Sequence, residues 1–355
     1  RAELEAPAKA EKARKLLRQA GSYGTRVSVH CGGLGTVRYQ AYFANVVALG
    51  EAASMPDPAE VWRVLRPCGG KLAFILPPEA AEGPKLAAWG AEAIPGWTAE
   101  KDADGFWTGA ARRGPLPGAG EWSHLYADAG NSACSGDQLA QGPISVQWFG
   151  RPGPEHMPDR HDKTVGPLCV DGRLFITGDN YIAALDAYNG TVLWDCEVPD
   201  SIRLGAMKNC GNMAASNDCL YVAAAGRCLA LDARTGQQRF AAACKGEWGY
   251  VATVDDLLLG SETRRFASYR YQTLDTETLI WRDHMPVVCS DSLFALDRQS
   301  GEKRWSYAPA PTRGVLDPID QLRRLAMELH PAWARRLREE TGLDTGFREC
   351  GAIYA

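Results

Sequence analysis

A multidomain chain is predicted: a partial α/β domain over residues 1–112, an incomplete all-β propeller with four-stranded blades over 113–308, and a short α-helical tail over 309–355. Three observations lead there. Asp186, Gly190 and Trp194 recur at the same spacing as Asp232, Gly236 and Phe240, and again as Asp297, Gly301 and Trp305. Ala184-Leu185, Ala230-Leu231 and Ala295-Leu296 precede the three aspartates, and a phrase kept at one internal spacing marks a repeat architecture. Helix and strand patterns alternate before the repeats, and amphipathic helical patterns follow them.

In the first domain, Ala10 to Ala20 reads as a helix with Ala13, Leu16 and Leu17 on one side, closed by Gly21. Arg26-Val27-Ser28-Val29-His30 alternates as a short strand, and Phe43 to Leu49 is a continuous apolar run of buried-strand type. Pro58 to Leu65 is helical, Arg66-Pro67-Cys68-Gly69-Gly70 ends it, and Lys71 to Leu76 is the next strand. Alternation of this kind predicts a parallel, doubly wound sheet.

Those residues resemble the second half of a class I S-adenosylmethionine (SAM)-dependent methyltransferase, which implies a Rossmann-like fold; Leu65-Arg66-Pro67 with Gly69-Gly70 is the most specific part. The chain departs from the family at two places. Ala44 stands where the family has an acidic residue, and Cys31-Gly32-Gly33 stands where its adenine-contacting acid would be. The expected domain is therefore degenerate, without the glycine-rich loop that cradles the cofactor at a helix N-terminus.

The proline- and glycine-rich stretch Arg113 to Gly120 marks the boundary, and Ile144 to Phe149 alternates as a strand. The repeats follow, with turns at Asp171-Gly172 and Asn217-Asp218 leading into strands. The interval from Asp186 to Asp232 is close to the ~40–45 residues of a four-stranded blade. A third blade opens at Val254 to Leu259 and resumes at Ser292 to Trp305, after an insertion containing Arg264, Arg265, Tyr269 and Tyr271. In each copy Asp accepts turn N–H groups, Gly takes the left-handed conformation, and the aromatic packs between neighbouring blades.

The phrase Ala-Leu-Asp-x-x-(Thr/Ser/Asn)-Gly-x-x-x-Trp resembles the repeat of pyrroloquinoline-quinone (PQQ)-like β-propellers. That family includes quinoprotein dehydrogenases and non-catalytic scaffolds of the outer-membrane assembly factor B type. Gly120 to Asp128 and Gly205 to Asn212 resemble the large members that carry a methyltransferase-like domain in front. The catalytic branch implies PQQ with calcium, a disulfide between adjacent cysteines and a catalytic Asp. The eleven cysteines here include no adjacent pair and no Cys-x-x-Cys.

His156 to Lys163 is read in two ways: a ligand or metal site at the propeller mouth, built on Arg160, His161 and Asp162, or a solvated loop between Pro154 and Gly166. Lys208, Asn209 and Asn212 are candidate polar residues near the centre, or plain turn formers. No Gly-x-Ser-x-Gly elbow is present, and no catalytic residue is assigned.

In the tail, Pro318 to Leu329 and Pro331 to Glu340 read as two helices, with Trp333 and Leu337 inward. His330 to Trp333, Glu340 to Phe347 and Cys350 to Tyr354 resemble flavin (FAD)-dependent glycine or D-amino-acid oxidases. No Gly-x-Gly-x-x-Gly follows a strand to hold a flavin.

Formal net charge is −4, which gives no footprint for nucleic acid. No apolar run reaches the about eighteen residues of a membrane-spanning helix. Arg1 to Glu5 shows no signal peptide and no initiator Met, so residues upstream are expected; the family points to a periplasmic setting and the scattered thiols to a cytoplasmic one. The expected function is a non-catalytic binding or scaffold propeller that takes a protein or polysaccharide partner through its loops. The alternative is a quinoprotein-like oxidoreductase or a methyltransferase fragment.

Overall fold

The computed structural model describes residues 2–4, 6–33, 38–50, 55–81, 83–156, 165–201, 211–263, 272–275, 280–283, 290–308 and 318–342. The N-terminal part contains β1 (Ala2–Leu4), α1 (Pro7–Gln19), β2 (Val29–Cys31), β3 (Val46–Leu49), α2 (Pro58–Val64), β4 (Lys71–Leu76), α3 (Leu86–Ala91), β5 (Thr98–Lys101) and β6 (Trp107–Arg112). β1 and β2 form a separate parallel pair beside α1. Pro7 occupies the first turn of α1, where a missing N–H costs nothing, and Gly21 follows its end at φ +66°. Asp57 caps α2 by accepting the Ala59 N–H at 3.0 Å.

The sheet order is β3-β4-β6-β5, and here the structure departs from the expected parallel sheet. β3 and β4 are parallel, whereas β6 runs antiparallel to both β4 and β5. The cause is the hairpin between β5 and β6. Asp102 Oδ1 accepts the N–H groups of Asp104 and Phe106 at 3.0 and 2.8 Å, and Gly105 takes φ +86°. So short a connection can only join antiparallel strands. Leu72, Phe74 and Leu76 bury one face of the sheet under α2 and α3, with Trp89 and Trp97 packed beside them. The other face carries exposed Val46 and Ile75, so β3 is not the fully buried strand its apolar run predicts.

Three antiparallel four-stranded sheets follow, each laid down in sequence order. Blade 1 is β7 (Leu168–Val170), β8 (Arg173–Gly178), β9 (Tyr181–Asp186) and β10 (Val192–Glu197). Blade 2 is β11 (Met213–Ala215), β12 (Cys219–Ala224), β13 (Arg227–Asp232) and β14 (Gln238–Ala243). In blade 3, β15 (Glu247–Val254) and β16 (Leu257–Thr263) pair with β19 (Ser290–Asp297) and β20 (Lys303–Tyr307) across an insertion. The insertion contains the antiparallel pair of β17 (Gln272–Asp275) and β18 (Ile280–Asp283). β16 pairs with β19, so the insertion interrupts the blade without displacing its second half.

Stacking explains the burial. Leu220, Val222, Leu229 and Leu231 on one face of blade 2 join Phe175, Ile182 and Trp194 of blade 1 in one core. Cys219, Tyr221, Cys228 and Ala230 on the opposite face join Trp248, Leu258 and Phe294 of blade 3 in another. A strand buried on both faces loses the polar alternation of a half-exposed one, and every residue of β12 is buried. No single blade could cover both of its own faces, so the repeats must stack.

Two further expectations are corrected. Residues 144–149 form no strand, and Ile144 and Phe149 are 96% and 98% exposed. The tail is one helix, α4 (Pro318–Thr341), rather than two. It runs through Pro331, whose missing N–H removes one backbone bond without ending the helix. Trp333 and Leu337 on it are exposed rather than inward.

Candidate functional site

The repeated turns share one geometry. Asp232 Oδ1 accepts the N–H groups of Arg234 and Thr235 at 3.0 and 2.9 Å, and Asp297 Oδ1 accepts those of Gln299 and Ser300 at 3.0 and 2.8 Å. Asp186 Oδ1 does the same for Tyr188 and Asn189, at 2.9 and 3.1 Å. Gly190, Gly236 and Gly301 follow at φ +71°, +72° and +76°, where a side chain is strained.

Each of these glycines also meets an aromatic ring from the preceding chain segment. Trp194 lies against Gly236 and Phe240 against Gly301, so close that an added Cβ would fall 2.6 and 2.8 Å from ring atoms. Trp148 meets Gly190 in the same way. The indole nitrogens match too: Trp194 Nε1 donates to Ala233 O at 3.0 Å and Trp148 Nε1 to Ala187 O at 2.9 Å. Trp148 therefore serves blade 1 as an outer-strand aromatic although its segment pairs in no sheet. Trp305, the last aromatic of the series, is 46% exposed.

The second half of the turn differs between blades. Arg239 Nη2 lies 2.7 Å from Asp232 Oδ2, and Arg304 pairs with Asp297 Oδ2. The equivalent position in blade 1 is Leu193. Opposite Asp186 stands Arg66 from the α/β part, its Nη1 2.6 Å from Asp186 Oδ2: a buried ion pair held by charge and proximity, since Oδ2 has no hydrogen-bond partner among the described residues. Burial raises the Asp186 carboxyl above its usual range, and the Arg66 charge opposes that shift. Around the pair, Asn189 Nδ2 donates to Asn45 Oδ1 at 2.8 Å, Asn45 Nδ2 to Thr191 Oγ1 at 3.3 Å, and Tyr42 packs edge-on to Tyr188.

The first strands β7, β11 and β15 lie side by side, and so form the inner edge of the arc. A strap of chain from Trp122 to Asn131 crosses all three. Trp122 and Cys169 of blade 1 exchange two backbone bonds at 2.8 Å each. Ala215 of blade 2 donates to Ser123 O at 2.9 Å, and Thr253 of blade 3 donates its N–H to His124 Nε2 at 3.0 Å. Tyr250 Oη donates to Asn131 Oδ1 at 3.4 Å.

His124 is buried, and burial lowers its pKa below the usual histidine value. Nε2 accepts a backbone bond, so the proton sits on Nδ1 and points to Ser123 Oγ at 2.7 Å. The Ser123 hydroxyl in turn donates to Ala127 O at 3.2 Å. This order of donors cannot activate Ser123, because neither imidazole nitrogen is free to take its proton.

Of the residues singled out from sequence, Arg160, His161, Asp162, Lys208 and Asn209 lie outside the described residues. Asn212 is buried at the start of blade 2. Its Nδ2 donates to Ser201 O at 2.7 Å, and its Oδ1 has no hydrogen-bond partner among the described residues. Among the described residues no group of three or more His, Cys, Asp or Glu could hold a metal ion. None of their helices is long and apolar enough to cross a membrane. Sequence reasoning missed Trp148, Arg66 and His124. The signal for Arg66 was Leu193, an apolar residue where the other copies carry Arg239 and Arg304.

Three four-stranded antiparallel sheets, stacked through an Asp turn, a left-handed Gly and an inserted aromatic, are consistent with an incomplete β-propeller of the PQQ-like type. Residues 160–257 match a family model described as outer membrane protein assembly factor BamB. Among solved structures, the chain is similar to BamB from Moraxella catarrhalis at 19% identity and a TM-score of 0.26, covering 39% of this chain and 33% of that one. It is also similar to the quinohemoprotein alcohol dehydrogenase ADHIIG from Pseudomonas putida HK5, at 22% identity and a TM-score of 0.35, over 56% and 28% of the two chains. For a europium-containing methanol dehydrogenase the values are 13%, 0.30, 54% and 32%. The chain thus spans about a third or less of the length of each of these structures. No curated protein matches the chain.

Proposed function

We propose that the arc is a non-catalytic binding scaffold that takes a protein partner through its loops, with the α/β part as a degenerate methyltransferase-like unit fixed to blade 1. The observation that carries this reading is the strap from Trp122 to Asn131. It bonds to the inner edge of all three blades, by backbone to blades 1 and 2 and through the His124 side chain to blade 3. Groups already satisfied within the chain are not poised to bind or transform a small molecule. The family description, an assembly factor, supports a protein as the partner. In the α/β part, the parallel β3–β4 pair followed by the antiparallel β6 and β5 supports the second half of a nucleotide-type sheet.

The test is thermal denaturation of the full chain, titrated with PQQ plus calcium and separately with S-adenosylmethionine. A ligand that binds only the native state adds about 2.7 kcal/mol at a hundredfold excess over Kd. An unchanged Tm in both titrations is expected. A rise with PQQ and calcium would replace the scaffold reading by a quinoprotein-like oxidoreductase, and a rise with S-adenosylmethionine by a methyltransferase fragment.

A further inference from the structure

We propose that the Asp186 turn of blade 1 is an arginine socket filled from outside the blade, so that Arg66 is the latch holding the α/β part on the arc. Blades 2 and 3 fill the same socket internally, with Arg239 on Asp232 and Arg304 on Asp297. Blade 1 cannot, because Leu193 occupies that position. Asp186 is 0% exposed, and its Oδ2 faces Arg66 Nη1 at 2.6 Å. Withdrawing Arg66 would leave a buried carboxylate without its counter-charge, which is far more costly than breaking a surface pair.

The surroundings fit a latch. Arg66 sits in the turn ahead of β4, and Tyr42 to Asn45 lie just ahead of β3. The first meets the 186–191 turn at Asp186, and the second meets it through the Asn45–Asn189 and Asn45–Thr191 bonds. Cys68 packs against Gly172 of the same blade. The contact therefore uses the N-terminal ends of β3 and β4 and leaves their C-terminal ends, where open α/β sheets take ligands, on the far side. The latch holds whether the arc binds a protein or a small molecule.

Leu193→Arg tests it by giving blade 1 the internal arginine of its neighbours. Hydrogen exchange on the full chain is expected to rise roughly tenfold at residues 41–45 and 66–70, as the α/β part loosens, with the 232–236 turn unchanged. Arg66→Met is expected to loosen the same segments and to lower Tm. The double variant Arg66→Met with Leu193→Arg is expected to recover Tm but not the slow exchange. That separation distinguishes a latch from a general loss of fold, and it stays readable if Arg66→Met alone does not fold. Unchanged exchange at residues 41–45 in Leu193→Arg and in the double variant would overturn the proposal.

Discussion

The Trp194 indole of blade 1 rests on Gly236 of blade 2 and donates its Nε1 proton to Ala233 O at 3.0 Å. One side chain thus supplies both the apolar contact and the polar tie between two blades. It is 8% exposed. Trp194→Ala is expected to cost roughly 3–5 kcal/mol, from lost burial and an unfilled space between the sheets. Trp194→Phe keeps most of the area and loses the bond to Ala233, so it should cost only about 1 kcal/mol, the hydrogen-bond share of the total. Denaturant unfolding of the three proteins measures both; a Trp194→Ala loss within experimental error would show that the ring does not join the blades.

Gly236 and Gly226 offer a controlled comparison from the other side of that contact. Both take left-handed backbone, at φ +72° and +74°. An added Cβ at Gly236 would meet the Trp194 ring at 2.6 Å, whereas at Gly226 the nearest atom is Gly246 O at 3.8 Å. Gly226→Ala should cost only the conformational strain, about 1–2 kcal/mol. Gly236→Ala adds displacement of a buried indole, a further ~1–3 kcal/mol. Equal losses at the two positions would place the glycine requirement wholly in the backbone.

The sequence made the repeat legible because turn chemistry is local: Asp, Gly and the aromatic must stand at fixed spacing whatever surrounds them. Blade 3 could be read across its long insertion for the same reason, since Asp297, Gly301 and Trp305 keep the phrase. What stayed illegible depends on contacts distant in the chain. Trp148 has no Asp-x-x-x-Gly before it, and its role exists only through Gly190. Arg66 looks like the end of a helix until Asp186 is placed beside it. The hairpin over Asp102 to Phe106 was signalled by Asp104-Gly105, but the regular alternation of helix and strand before it predicted parallel strands throughout. Pro331 predicted a break, and helical backbone on both sides carried the chain through it. The candidate loops at Arg160 to Asp162 and at Lys208 and Asn209 fall outside the described residues.

His124 provides a test of the strap. Its Nε2 accepts the buried Thr253 N–H at 3.0 Å, so His124→Leu leaves that donor unsatisfied at a cost of about 1–3 kcal/mol. The imidazole is neutral in the fold, because burial depresses its pKa below the ordinary 6.5. An unfolded chain takes up the proton first as pH falls. The contribution of His124 is therefore complete above pH 6.5 and declines as pH drops through and below that value. His124→Leu should flatten this part of the stability profile, measured by denaturant titration between pH 8 and pH 5. A variant profile parallel to that of the parent would mean that His124 is not the titrating group.

Deeper into acid, Asp218 should govern the junction of blades 2 and 3. Burial pushes its carboxyl up, but the Gln299 amide, the Ser216 hydroxyl and the Arg239 and Arg298 guanidinium groups outweigh that and hold it at about 2. The bonds run from Gln299 Nε2 at 3.0 Å, Ser216 Oγ at 2.8 Å, and Arg239 and Arg298 at 3.1 and 3.2 Å. Asp232, held at about 2 first by Arg239, behaves alike. A depressed carboxylate stabilises the fold fully above its unfolded value of 3.8, and that contribution disappears as pH falls from 3.8 towards 2. Asp186 has the opposite sign: its folded value is raised by burial, so protonation in acid relieves the Asp186 turn while it weakens the contacts of Asp218 and Asp232. Acid should therefore open the seam between blades 2 and 3 while the Asp186 turn persists. Hydrogen exchange followed down to pH 2.5 reads the order directly, with residues 216–219 and 297–300 expected to lose protection before residues 186–191. Asp218→Asn should remove much of the acid sensitivity of that seam while lowering its stability at neutral pH. Loss of residues 186–191 first would show that the Arg66 pair, not the Asp218 cluster, is the acid-labile joint.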